Sequence, residues 1–196
     1  MKKTVLFLMA LILGLGASAQ KIEYDKVTDT GSRVIGVSRE QFRSFSDRLV
    51  LSLDLTAIVN KQKDVAYFLD AYVKSNEPIS APAHARILIK TQTGEVISLE
   101  SMADTTTADN IGDLNNIGGA LYKTFEIMLG YKITPEEINQ IIEQGVAKIR
   151  IELDGDKNYE KEWKKDKKIS GYISKAYSLL QDAVSVDKRG SFEDDF

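Results

Sequence analysis

One charged stretch of this 196-residue chain, LDGDKNYEKEWKKDKK, carries the residue types best suited to binding a metal. Asp154, Asp156 and Asn158 occupy alternate positions, as do the first three oxygen ligands of an EF-hand calcium loop. The pattern then fails, because Tyr159 stands where that loop needs glycine and Lys165 stands where a bidentate glutamate should close it. We therefore expect a turn and no cofactor, with a weak, irregular calcium site as the alternative.

The same stretch ends in a run of lysines around Trp163, a combination that can bind polyanions or lipid headgroups. Acidic residues interleave with these lysines, so their fields largely cancel. We therefore predict a solvated connection into a helix, with Asp166 as the N-cap. The lysines are Lys161, Lys164, Lys165, Lys167 and Lys168, and the acids are Glu160, Glu162 and Asp166.

A second candidate for binding is the long irregular stretch SMADTTTADNIGDLNNIGG, residues 101–119. Its two Asn-Ile-Gly triplets suggest repeated turns, and long loops on rigid scaffolds often bind ligands. Asn110, Asp113 and Asn116 are the candidate binding residues. The favoured alternative is a simple excursion between two strands.

Catalytic chemistry has few candidates in the sequence. His84 is the only histidine and cysteine is absent, which excludes a histidine-rich zinc site and a cysteine nucleophile. The chain contains neither a G-x-S-x-G motif nor a phosphate-binding glycine loop. His84 follows Pro82 at a strand start, so we expect a surface or edge residue. The 29 acidic residues leave a carboxylate pair for glycoside hydrolysis open, but no catalytic residue is assigned.

Alternating apolar and polar residues predict antiparallel strands over the first two thirds of the chain. From Leu49 onward, leucines alternate with residues such as Ser52, Asp54 and Thr56, which predicts a strand buried on one face only. A turn ending at Gly31 separates two short strands before it, and residues 39–46 are ambiguous. The other predicted strands are residues 64–75, a hairpin over residues 84–101, and residues 121–131 and 146–153.

Two helices are predicted in the last third of the chain. The first has Thr134 as N-cap, Pro135 at its first position, Glu137 completing a capping box and Gly145 at its end. Its buried stripe is Ile138, Ile141 and Ile142. The second follows Asp166, where apolar residues recur every three or four positions, and its apolar face needs the sheet as a partner.

These elements define an α+β domain: a mainly antiparallel sheet, single or folded as a sandwich, followed by helix, strand and helix, with the C-terminal helix packed on the sheet. The strand order does not follow from periodicity. We expect one domain over residues 20–185 and a polar, frayed tail over residues 186–196.

The first residues, MKKTVLFLMALILGLGASAQ, have the pattern of a secretory signal peptide over residues 1–19, with cleavage before Gln20. Without Lys2 and Lys3, 24 of the 26 basic side chains remain against 29 acidic ones. Such an acidic exported protein is not expected to bind nucleic acid or to stay inserted in a membrane. We expect a soluble periplasmic or secreted protein.

The segments ARILIKTQTGEVISL, ITPEEINQIIEQGVAKIRIE and KDKKISGYISKAYSLLQDA resemble small secreted proteins of unknown function from gut-type Gram-negative bacteria. The resemblance implies export and an α+β domain, and it supplies no functional residues. We expect a non-enzymatic binding or interaction module of the cell envelope, with a protein or glycan as partner. An exposed aromatic cluster drawn from Tyr67, Phe68 and Tyr72 would favour this function. The alternative is a carboxylate-based hydrolase acting on envelope or environmental glycans.

Overall fold

The structure is a computed structural model, which describes residues 20–42, 49–110, 123–155, 158–165 and 167–186. The predicted signal segment lies outside the described residues, and so does the predicted tail beyond residue 186. Asp113, Asn116 and Asp156 also lie outside them.

The described chain forms an α+β fold that consists mostly of antiparallel strands, as predicted. Its strands are β1 (Ile22–Val27), β2 (Arg33–Val37), β3 (Glu40–Phe42), β4 (Leu49–Val59), β5 (Val65–Ser75), β6 (Ser80–Ala81), β7 (Arg86–Thr91), β8 (Val96–Glu100), β9 (Thr106–Thr107), β10 (Asp109–Asn110), β11 (Phe125–Ile133), β12 (Val146–Ile151) and β13 (Tyr159–Glu162). Its helices are α1 (Pro135–Gln144) and α2 (Lys168–Ser185).

The strands are arranged in three sheets. The large sheet has the order β1-β2-β4-β5-β11-β10, and β3 also pairs with β4. The small sheet has the order β13-β12-β7-β8, and β6 pairs with β9 in a third, two-stranded sheet. Apolar residues of the large sheet, the small sheet and both helices share one hydrophobic core, so the chain folds around a single interior.

The hairpin of β4 and β5 forms the centre of the large sheet. We call inner face the side with Leu51, Leu53 and Leu55, and outer face the side with Ser52, Asp54 and Thr56. The prediction that β4 is buried on one face only is wrong, because its outer-face residues Ser52, Asp54 and Thr56 are only 2%, 7% and 5% exposed. Large side chains from other strands reach these residues: Tyr24 of β1 extends across β2 to Thr56, and Tyr72 of β5 hydrogen-bonds Asp54.

Helix α2 packs on the inner face, as predicted. Tyr172 meets Phe42 edge to face at 5.8 Å between ring centroids, and Tyr177 meets Tyr67 in the same way at 5.2 Å. Helix α1 packs against α2. Its predicted capping box between Thr134 and Glu137 is present, and its closing glycine has a φ of 69°.

Two sequence-based boundaries need correction. Helix α2 has Lys167 as its N-cap residue, without a side-chain capping bond, instead of the predicted Asp166. The predicted turn after β12 contains an additional strand, β13, because Glu160 and Glu162 can pair across to basic residues of β12. Part of the predicted loop 101–119 is also extended, since β9 and β10 lie within it.

The first strands hold the last helix through polar contacts. Arg33 is 5% exposed, and its guanidinium binds Asp25 through two hydrogen bonds of 2.8 Å. The same guanidinium donates to the carbonyl of Val186 at the end of α2, at 2.6 Å. Gln20 donates to the carbonyl of Tyr172 at 3.1 Å. Neither of the two helices among the described residues has the length and apolar character needed to cross a membrane.

Candidate functional site

Two acidic side chains face each other at the centre of the outer face. Asp54 of β4 and Asp70 of β5 are direct cross-strand partners, a position in which side chains touch. Asp54 is buried and Asp70 is half-buried, and their carboxyl groups are hydrogen-bonded to each other. Two carboxylates this close resist ionising together, so the pair keeps one proton to a higher pH than an isolated aspartic acid does.

Burial is the main cause of the unusual acidity of this pair. Burial first, and then the Asp70 charge, raise the pKa of Asp54 to about 7. Burial also raises the pKa of Asp70, while hydrogen bonds from Asp54 and Thr56 lower it. The hydrogen bond between the two acids raises the pKa of Asp54 and lowers that of Asp70, so Asp54 is the member that holds the proton.

A short chain of hydroxyl groups supports the ionised member. Thr56 Oγ1 donates to Asp70 Oδ2 at 3.1 Å, and the Tyr24 hydroxyl lies 3.1 Å from Thr56 Oγ1. Because the single proton of Thr56 is used for Asp70, Tyr24 donates to Thr56. Asp54 Oδ1 is buried and has no hydrogen-bond partner among the described residues. One acceptor in this network is therefore unsatisfied, which is costly in a folded protein.

Two glycines make room for this network. A Cβ atom on Gly36 would overlap the ring of Tyr24, which crosses that strand to reach Thr56. A Cβ atom on Gly130 would lie 3.0 Å from Asp70 Oδ1. Gly36 lies opposite Thr56, and Gly130 lies opposite Asp70. The bare backbone on both sides of the hairpin thus allows the polar side chains to lie flat on the sheet.

A cation covers one end of the pair. The guanidinium of Arg39 lies 3.2 Å from the ring centroid of Tyr72, and it donates to both carboxylate oxygens of Glu126 at 3.2 and 3.1 Å. The Tyr72 hydroxyl is hydrogen-bonded to Asp54. Burial and then the charge of Asp54 raise the pKa of Tyr72 above its ordinary range, so its hydroxyl stays protonated and donates to the acid.

The aromatic residues named from the sequence are divided between the two faces. Phe68 and Tyr72 lie on the outer face on either side of Asp70, and both are half-buried. Tyr67 lies on the inner face, buried against α2. Met128 stands opposite Tyr72 and is 52% exposed. The outer face therefore combines partly exposed apolar surface with hydrogen-bonding groups at its centre.

The residues of the predicted calcium loop take part in the turn after β12. Asp154 Oδ2 accepts a 2.5 Å hydrogen bond from Ser80, and Asn158 Oδ1 accepts a 3.1 Å hydrogen bond from the backbone of Leu153. Asp156 lies outside the described residues. No group of three or more metal-binding side chains occurs in the described ranges. The calcium site stays a prediction.

The other candidate residues are scattered. Asn110 pairs with Phe125 at the edge of the large sheet, whereas Asp113 and Asn116 lie outside the described residues. His84 is an exposed residue with a φ of 55°, and its Nδ1 lies 3.4 Å from the carbonyl of Ser101. His84 thus has the surface position expected from the sequence.

The central acid pair was missed by the sequence analysis, although the sequence contains a signal for it. Each strand of the hairpin contains a single acid, and the two acids are equally distant from Gln62 in the turn. A register centred on that residue places Asp54 opposite Asp70.

Comparison with protein-family models, curated proteins and solved structures finds no match for this chain.

Proposed function

We propose that this protein is an exported, non-enzymatic module that binds a neutral glycan on the outer face of the large sheet. The observation that carries the proposal is the arrangement of Phe68, Asp70 and Tyr72 along one side of β5, with Asp54 and Thr56 opposite them. The signal-like residues 1–19 support export to the periplasm or the exterior.

The chemistry of the outer face matches that of a sugar ring. A sugar has apolar C–H faces that can lie on the half-buried Phe68 ring, and hydroxyl groups at its rim that need partners. The half-buried Asp70 is an acceptor, and Arg39 is a donor. Binding sites commonly combine aromatic surface with a few polar groups that fix orientation.

The test is a titration of the purified protein with neutral oligosaccharides of the bacterial envelope and the environment, followed by calorimetry. We expect Phe68→Ala and Tyr72→Phe to weaken binding, by about tenfold for the loss of the Phe68 ring. The matched control is Tyr67→Phe on the inner face, which should leave affinity unchanged. Binding that is insensitive to the Phe68 and Tyr72 substitutions would move the site elsewhere, and absence of binding to every glycan would refute the function.

The acid pair itself favours a second candidate, a carboxylate-based glycan hydrolase. A carboxyl group with a pKa raised to about 7 beside an ionised one resembles the division of roles in such enzymes. Against this function, the two carboxyls hydrogen-bond directly, whereas glycosidases separate theirs by about 5 Å or more. An assay for new reducing ends in the same glycans distinguishes the candidates. A hydrolase produces them and loses this activity in both Asp54→Asn and Asp70→Asn. A binding module produces none, either as wild type or as a variant.

A further inference from the structure

A cleft of about 1040 Å³ lies between α2, from its N-terminus to Leu179, and the connection from β2 to β3 together with Gln20. It is separate from the central acid pair and shares only Arg39 with the outer-face residues described above. Its lining combines the apolar surface of Tyr172 and Leu179 with the amide and hydroxyl groups of Gln20, Ser38, Ser174 and Ser178. A cleft of this volume can accommodate a ligand of several sugar rings.

The charges in the cleft are strongly unbalanced. Arg39, Lys167, Lys168 and Lys175 line it, against Glu40 as the one acid of the lining. Arg39 is paired with Glu126, and Lys168 Nζ lies 3.4 Å from Glu40. The ammonium groups of Lys167 and Lys175 have no partner among the described residues. Two cations that no described residue pairs with thus line a cleft of a protein whose formal charge is −3.

The adjoining helix end increases the positive potential. Helix α2 has no acidic residue in its first turn and no side-chain cap, although a helix N-terminus favours negative charge. Lys167 and Lys168 lie at this end instead. The positive charges at this end repel one another when the cleft is empty, and they would stabilise an anion bound there.

We propose that this cleft binds an acidic oligosaccharide, with its anionic groups on Lys167 and Lys175 and its hydroxyl groups on the serines. Charge complementarity identifies the anion, and the three serine hydroxyls with the Gln20 amide identify the saccharide. The shared chemistry is a sugar chain that carries several negative groups, as uronate carboxylates or as sulfate esters. The site differs from the proposed neutral-glycan site, because Phe68 and Asp70 take no part in it and only Arg39 is common to both.

Calorimetric titration of the purified protein with oligogalacturonate, sulfated dextran oligosaccharide, neutral dextran oligosaccharide and tripolyphosphate tests the proposal. We expect one or both acidic saccharides to bind, with an affinity that falls as salt rises. The double variant K167E/K175E should weaken that binding by about tenfold or more. The matched control K61E/K90E changes charge equally on exposed lysines of the β4–β5 turn and the small sheet, and it should retain wild-type affinity.

The outcomes separate the proposal from its competitors. Equal weakening by both double variants would reveal a nonspecific charge effect and overturn the assigned site. Tripolyphosphate binding as tightly as the acidic saccharides would overturn the saccharide assignment, and absence of any binding would overturn the site altogether. Phe68→Ala should leave acidic saccharide binding unchanged. If instead it abolishes that binding, the ligand belongs to the outer face, and the cleft proposal fails while the proposed function stands.

Discussion

Charged residues are paired in opposite ways on the outer face of the large sheet and on the face of the small sheet that carries Arg150 and Glu160. On the small sheet, Arg150 stands directly opposite Glu160 with a 2.5 Å ion pair, and Lys148 stands opposite Glu162 with a 3.1 Å ion pair. Arg86 binds Glu152 at 2.6 Å on the same face. On the large sheet, the buried Asp54 stands opposite the half-buried Asp70, so acid faces acid.

This difference gives the two faces opposite responses to pH. The basic partners lower the pKa values of Glu152 and Glu160, so their stabilisation is present at neutral pH and is lost as the pH falls through those lowered values. Burial raises the pKa of Asp54, so its contribution is present in acid and is lost as the pH rises. On the small sheet these acids pair with basic residues, whereas on the large sheet two acids stand opposite each other. Proteins retain such an electrostatically unfavourable arrangement mainly at functional sites.

The largest expected effect comes from removing that conflict by Asp54→Asn. The pKa of Asp54 is about 7 in the folded chain against an ordinary value of 3.8, so wild-type stability should fall between about pH 4 and pH 7. The loss is on the order of 2–4 kcal/mol, at about 1.4 kcal/mol for each pH unit between the two values. Urea unfolding at pH 4.5, 6 and 8 measures it.

The difference in unfolding free energy between wild type and Asp54→Asn isolates this contribution from other carboxyls. The unfolding free energy of Asp54→Asn relative to that of the wild type should increase as the pH rises. Glu160→Gln is the control from the small sheet. Its unfolding free energy should be lower than that of the wild type at neutral pH, and this difference should disappear only in acid. A constant difference between wild type and Asp54→Asn across this range would mean that the acid pair does not hold a proton.

The second-largest effect on stability is expected from displacing Tyr24, whose ring lies over Gly36 on the outer face of the large sheet. Gly36→Ala should displace the Tyr24 ring, break its hydrogen bond to Thr56 and destabilise the protein by about 1–3 kcal/mol. Gly171→Ala is the matched control, because a Cβ there meets no atom within 4 Å and alanine favours a helix by about 1 kcal/mol. Thermal unfolding of both variants decides: equal destabilisation would show that Tyr24 does not lie over Gly36.

The smallest effect is expected on the small sheet. Arg150→Glu creates a like-charge pair with Glu160, which imitates the acid pair of the large sheet at a solvent-exposed position. Because water screens exposed charges, we expect a loss of stability that is a small fraction of the Asp54 effect and that disappears in high salt. Adding Glu160→Arg should restore the pair. A loss as large as that of the Asp54 site would show that burial is not what distinguishes the two faces.

Most of the fold could be predicted because its signals are local. Alternation located β4, β5, β7 and β8, and the capping box and closing glycine located α1. The second helix was located by its apolar repeat, but its first residue was not, because Lys167 provides no side-chain cap. The strand β13 was missed since its four residues, mostly charged, pair only through partners on β12.

The candidate site could be predicted only in part, because burial depends on neighbours that are distant in sequence. Phe68 and Tyr72 were recognised as candidate binding aromatics, but Tyr67 was placed with them although it alternates to the inner face. The acid pair requires the hairpin register. Its burial also requires Tyr24 from β1 and Arg39 from the β2–β3 connection, which no local pattern connects to Asp54.

The polar contacts between the first strands and the last helix determine when folding can finish. The hydrogen bonds from Gln20 to Tyr172 and from Arg33 to Val186 span 152 and 153 residues of the chain. Contacts with such large sequence separation slow folding, because a long loop must close before they form. The nascent chain therefore cannot form both of these contacts until residue 186 has been synthesised.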